Sequence, residues 1–216
     1  MDDLGGPTRG HDSGPMDRKP DAPETGTPAQ DWSAPPPVTA GPAGFVYADV
    51  PNRAIAYIID SILVGIVVGI VGSILGGIGL SPVTLTPGAT NFEINFAGLI
   101  VSAIVGAAIS GAYFVYTWTS MRGTLGMKVL NMQIGNAVDG KTLTMDQALR
   151  RWLVIVLPGL LAQVLFVLPA IGALLGLVAF GWFIYLIWTT AKSPTKQGFH
   201  DVFANTMVVK AARTAG

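Results

Sequence analysis

Arg53, Tyr57 and Asp60 stand at i, i+4 and i+7 of a stretch in which Asp60 is the only charge between Ala54 and Leu80. On a helix that spacing stacks a guanidinium, a phenol and a carboxylate along one side. Asp60 falls about 10 Å beyond Arg53 along the axis, at 1.5 Å of rise per residue. If the stretch spans a bilayer, the acid sits in hydrocarbon, where it costs roughly 2.5–3.5 kcal/mol at a helix centre. Aspartate is too short to reach water from that depth, so it needs protein partners or a proton. Arg53 can bend back towards it, and Tyr116 and Tyr185 fall at comparable depth on later helices. Two chemistries fit: a carboxylate that takes up a proton or a cation along a pathway, and a polar lock that ties helices together. His200-Asp201 is the other pair of neighbouring titratable groups.

Other chemistry is poorly provided for. The 216-residue chain has no cysteine and two histidines, His11 and His200. A thiol nucleophile, a disulfide framework and thiolate- or histidine-based metal sites are therefore excluded. The apolar segments hold no second acid for a paired-carboxylate mechanism and no Ser/His dyad. Gly123-Thr124-Leu125-Gly126 lacks the lysine and the spacing of a phosphate-binding loop. The expectation is a protein that is not an enzyme, with no catalytic residue, no metal and no cofactor. Thirteen basic against thirteen acidic residues leave no positive excess for a nucleic-acid partner.

The elements that position these residues follow from hydropathy. Half of the chain is apolar and 12% is charged, about half the charge of an average soluble domain. Ala54–Leu80 and Ala97–Thr119 are each long enough to cross the ~30 Å hydrocarbon layer once. Trp152–Thr190 is uncharged and is about twice the required length; Pro169 and Gly172 divide it into 152–168 and 170–190. The fold expected is an all-α membrane bundle of four transmembrane helices with a small cytoplasmic β-element and interfacial helices. Four spans place every basic residue on the cytoplasmic side, with both termini, in a multi-pass protein of the cell membrane. Three spans would put the C-terminal lysines and arginine outside. The short 152–168 segment leaves a re-entrant helix open.

Residues 1–50 hold eight of the acids, three of the basic residues and most of the prolines. Residues 1–44 are accordingly expected to form a disordered, Pro/Gly-rich cytoplasmic tail, and 211–216 a loose C-terminus. Ser61, Gly65, Gly69, Gly72 and Gly76 line one face of the first helix, and Gly98, Ser102, Gly106 and Ser110 repeat every four on the second. Such faces predict the contact between these two helices. Met127–Ile134 reads as a strand, and Thr144-Met145-Asp146-Gln147 as a capping box. The helix it opens carries Met145, Ala148, Leu149 and Trp152 on one side. It is expected to lie at the interface, with Trp152 as anchor and Arg150 and Arg151 towards lipid. Thr206–Val209 reads as a strand that pairs with Val129–Ile134 and pins His200 and Asp201 near the inner mouth of the bundle.

Taken together, these residues resemble the RDD family of bacterial membrane proteins, named for one arginine and two aspartates. Pro51-Asn52-Arg53 through Asp60-Ser61 is similar to the family's first-helix pattern. Gly123-Thr124-Leu125-Gly126 through Arg150-Arg151 is similar to its central one, and His200-Asp201 followed by Thr206–Val209 to its close. The likeness covers about 45–210. Met127 stands where a lysine is common and Asn131 where a glycine is common, and a proline-rich tail also precedes the domain in some actinobacterial members. The resemblance implies a triad of Arg53, Asp60 and Asp201, with Tyr57, His200, Tyr116 and Tyr185 in support. It also implies transport of a small ion or solute, with cation/proton exchange attributed to some members. The expected partners are the bilayer, a proton or cation, and further copies of the chain, because four helices offer few walls for an aqueous path. The competing expectation is a membrane scaffold, with an Arg53–Asp60 lock and a tail that recruits partners.

Overall fold

The computed structural model describes residues 45–85, 88, 92–165 and 168–211. The expectations for 1–44 and 212–216 lie outside that range. The order of elements is β1 (Phe45–Tyr47), α1 (Val50–Gly77), β2 (Val83–Leu85), β3 (Phe92–Ile94), α2 (Phe96–Ser120), α3 (Leu125–Val129), β4 (Met132–Asn136), α4 (Met145–Val164), α5 (Pro169–Lys192), α6 (Phe199–Phe203) and β5 (Thr206–Ala211).

Three of these helices, α1, α2 and most of α5, are long and apolar enough to cross a membrane. α1 begins about a turn before the apolar run, with Pro51 in its first turn, where a missing N–H costs nothing. α2 starts from Asn95, whose side chain accepts the Gly98 N–H. The isoleucines of α1, among them Ile62, Ile66, Ile70 and Ile74, face outward, the arrangement lipid rather than water solvates.

α4 differs from expectation. The capping box at Thr144 and Gln147 forms, but the helix runs unbroken from Met145 to Val164 with Pro158 inside it. There is thus no separate interfacial helix ahead of a fourth span. Trp152 is not a lipid anchor: its ring packs against Gly111 and its indole N–H donates to Ser110 Oγ at 3.0 Å. Arg151 is buried rather than turned to lipid.

β1, β5 and β4 form one antiparallel sheet with β5 in the centre. Met132 pairs with Lys210 and Asn136 with Thr206, while Phe45 pairs with Ala211. The expected pairing of the C-terminal strand is therefore present. However, the strand expected over Met127–Ile134 begins only at Met132, because Met127–Val129 belong to the short helix α3; β1 was not foreseen, and Ala211 closes β5. The sheet gathers the start of α1, the end of α2, the start of α4 and the end of α5 at one end of the bundle. The main core is also there: Met132, Ile134, Val208 and Ala48 from the sheet side, against Ala56, Met127, Phe114 and Trp118.

The glycine stripe of α1 does not make the α1–α2 contact: a methyl group placed on Gly65, Gly69 or Gly72 would meet nothing within 4 Å, and on α2 one at Gly106 would only touch Val68, at 3.9 Å. The glycines that permit close approach are Gly98, from the α2 stripe, and Gly126, outside both stripes. Gly98 lies under the Leu80 and Ser81 carbonyls, and Gly126 lies against the Ala56 carbonyl of α1.

Candidate functional site

Asp60 projects from the second turn beyond Arg53 and is 2% exposed. Its carboxylate is met by three donors. The Tyr113 hydroxyl of α2 donates to Oδ1 at 2.6 Å, and the Gly126 N–H donates to the same oxygen at 2.8 Å. The Thr124 hydroxyl donates to Oδ2. Thr124 also caps α3 by accepting the Met127 N–H at 3.2 Å, and Tyr113 Oη accepts the Leu125 N–H at 3.2 Å. Asp60 thus holds the N-terminus of α3 against α1 and α2. Only glycine fits at 126, because a Cβ there would strike the Ala56 carbonyl and come within 3.0 Å of Asp60 Oδ2.

Arg53 does not bend back to Asp60. Its Nη1 donates to Asp201 Oδ2 at 2.6 Å, its Nε to the Ala48 carbonyl at 3.2 Å and its Nη2 to the Val208 carbonyl at 3.3 Å. Asp201, fully buried, is shared with a second arginine: Arg151 Nη1 donates to Asp201 Oδ1 and, at 2.7 Å, to Thr206 Oγ1. The Gly198 N–H donates to Asp201 Oδ2 at 3.0 Å, closing the first turn of α6. Burial opposes ionisation of Asp201, but the Arg151 and Arg53 guanidiniums prevail and hold it well below the usual carboxylate range. His200 Nε2 stands 3.5 Å from Asp201 Oδ2. Burial, reinforced by the two arginines, pushes the imidazole down to about 3 despite the adjacent aspartate, so it is neutral near pH 7.

The two carboxylates belong to two separate networks, and residues of both line a cavity of about 120 Å³ at the sheet end of the bundle. Arg53, Tyr57, Asp60, Arg151 and His200 all line it. Tyr57 stacks on Phe114, with ring centroids 6.2 Å apart, and packs against Phe183 at 5.5 Å. Tyr116 and Tyr185 are not part of the site. Tyr116 is 64% exposed, and Tyr185 packs outside with Trp182, Trp188 and Phe199.

Three residues that bind the carboxylates escaped the sequence reading. Tyr113 is one helical turn from Tyr116 and was passed over for it. Thr124 lies inside the Gly123–Gly126 motif, which resembles the family's central pattern and lacks the features of a phosphate loop, neither of which points to a carboxylate partner. Arg151 is expected with Arg150 to face lipid, although its i+3 spacing from the fully buried Ala148 puts it on the inner face of α4.

The comparisons with known proteins agree with this architecture. The family model described as "RDD family" matches residues 47–205. An uncharacterized protein of Bacillus subtilis (strain 168), YxaI, is 26% identical over 174 residues, covering 78% of this chain and 97% of its own. No solved structure matches. The family match runs from the strand before Arg53 to the residue before β5 and takes in both carboxylate networks. The chain therefore belongs to the RDD family and is a multi-pass membrane protein.

Proposed function

We propose that the protein moves a small ion or solute across the membrane, with a proton or cation taken up at Asp60. The observation that carries this reading is the cavity of about 120 Å³ lined by residues of both the Asp60 and the Asp201 networks. Buried ionisable groups beside a solvent-sized space within a membrane protein mark pathways more often than packing. The hydrogen bonding at Asp60 gives uptake a consequence. A proton arriving on Oδ2 lets that oxygen donate to Thr124, whose hydroxyl then turns from donor to acceptor. Thr124 is also the cap of α3, so the charge state of Asp60 is tied to how α3 is held over the cavity. A cation would meet the oxygens of Asp60, Tyr113 and Thr124 together, a hard-ligand set.

We further infer that α4 completes a fourth crossing and that the sheet faces the cytoplasm. The support is twofold. α4 starts and α5 ends at the sheet, so the chain between them must leave that end and return. The basic residues Arg122, Lys128, Lys141, Lys192, Lys196 and Lys210 also cluster in the segments at that end. A scaffold organised by an Arg53–Asp60 lock is not favoured, because Arg53 gives its ion pair to Asp201 instead.

The test is flux. Purified protein in liposomes, loaded with a pH-sensitive dye, is challenged with ion and solute gradients. Asp60→Asn should abolish coupled proton movement while the protein still inserts and elutes as wild type. Undiminished proton movement in that variant removes Asp60 from the mechanism.

A further inference from the structure

The charges of the Asp201 network do not balance. Two buried guanidiniums, Arg53 and Arg151, share one carboxylate, and His200 adds no negative charge. Asp60 is in a separate network and has both oxygens engaged by neutral donors. Arg53 uses all three of its nitrogens on protein acceptors. Arg151 does not: among the described residues only its Nη1 makes hydrogen bonds, and its Nε is buried without a partner. The guanidinium lies over the Trp118 ring, 5.1 Å from the centroid, and the Trp118 indole N–H is likewise buried and unpartnered. Both residues line the cavity. Unmet buried donors are uncommon enough to ask what acceptor they serve.

The rest of the wall narrows the answer. Ile155, Phe183, Leu186 and Val208 line the same cavity and make it largely apolar. A tetrahedral oxyanion would press additional oxygens against those walls with no donors to meet them. A simple halide would leave the apolar part unused, and a cation placed at Arg151, away from Asp60, would face the excess arginine charge. A group with one planar anionic end and a short alkyl body matches both halves, since a guanidinium presents paired donors to a carboxylate.

We propose that this cavity is a binding site for a short-chain monocarboxylate, its carboxylate on Arg151 and Trp118 and its alkyl end against Ile155 and Phe183. This deepens the transport reading, on which its role as a carried solute rests. The binding itself does not require transport.

The experiment is equilibrium titration of the full chain in nanodiscs with sodium propionate, followed by calorimetry and tryptophan fluorescence, in a buffer free of other carboxylates. Sodium chloride at matched ionic strength, sodium sulfate and propylamine are the comparison arms. Propionate should saturate with Kd near ~1 mM, the range open to so few heavy atoms, and the other three should not. Ile155→Phe fills the apolar end and touches no charge. Trp118→Phe removes the N–H and keeps the ring. Each is first checked for wild-type thermal unfolding, and each should weaken propionate by about ten-fold or more. No saturation by propionate beyond chloride overturns the proposal, as does unchanged affinity in both variants. Sulfate binding as tightly as propionate overturns the ligand class. Binding without flux in the liposome assay would sink the transport reading alone, and flux of another solute without propionate binding would sink this one alone.

Discussion

Asp201→Asn is the most informative single change, because one carboxylate neutralises two arginines. The side chain is fully buried, and Arg53 and Arg151 are nearly so. Removing one member of a buried ion pair typically costs 3–5 kcal/mol, chiefly by stranding the other charge. Here two charges are stranded, and the Asn side chain can accept from only one oxygen. The expected loss is therefore at the upper end, about 4–5 kcal/mol. Arg151→Met should cost less, about 1–3 kcal/mol, since a balanced Arg53–Asp201 pair remains and no charge is stranded, although the Asp201 and Thr206 hydrogen bonds and the stacking on Trp118 are lost. The double variant should then be milder than the sum of the two, by at least ~1.5 kcal/mol, because only one unpaired arginine is left. Reversible unfolding in mixed detergent micelles, read by tryptophan fluorescence, gives all four free energies. Costs that add to within about 0.5 kcal/mol, or an Asp201→Asn loss below about 1 kcal/mol, would refute the shared-carboxylate argument.

Three further outcomes follow from other parts of the structure. His200 is held at about 3 when folded and near 6.5 when unfolded, so the unfolded chain binds the extra proton between those values. Stability should therefore fall as pH drops below about 6.5, by about 2 kcal/mol at pH 5. His200→Gln should remove that slope from a pH series of the same unfolding measurement. Asp201 does not contribute to it, because a depressed carboxylate loses its stabilisation only below the ordinary carboxylate range. Gly126→Ala should cost about 1–3 kcal/mol by driving α3 from the Ala56 carbonyl, and should lower proton-coupled flux with it, which the liposome assay reads. Single cysteines introduced at Lys141 and Lys196 should react with impermeant maleimide from the same face of the membrane and one at Glu93 from the opposite face. Labelling of Lys141→Cys and Lys196→Cys from opposite faces would remove the four-crossing inference.

The spans were legible because lipid imposes a long-range compositional rule: α1, α2 and α5 each begin and end within a few residues of their apolar runs. The capping box at Thr144 and the β4–β5 pairing were legible for local reasons, a side-chain cap and β-branched alternation. The partner of each charge was not. Arg53 and Asp60 share a helix face, yet Arg53 reaches Asp201, 148 residues away, because the sheet brings α6 to the mouth of α1. Pairing in space depends on that sheet, and β1, only three residues long, carries too little pattern to be seen in advance. The glycine stripe misled for the converse reason. Spacing shows that a close helix contact is possible, but only the packing decides whether a helix is there to make it.

The sheet also has a bearing on how the protein is made. Its central strand, β5, follows all the helices of the described residues and pairs with both the strand that precedes α1 and the one that follows α3. During synthesis the apolar helices can enter the bilayer one after another, while Arg53 waits for a counter-ion that has not yet been translated. The ion pair cannot form before Asp201, nor the sheet before Thr206–Ala211, has been made. A chain stalled upstream of β5 would present unpaired β1 and β4 edges and bare arginines at the membrane surface, features that a quality-control protease can tell from the finished fold.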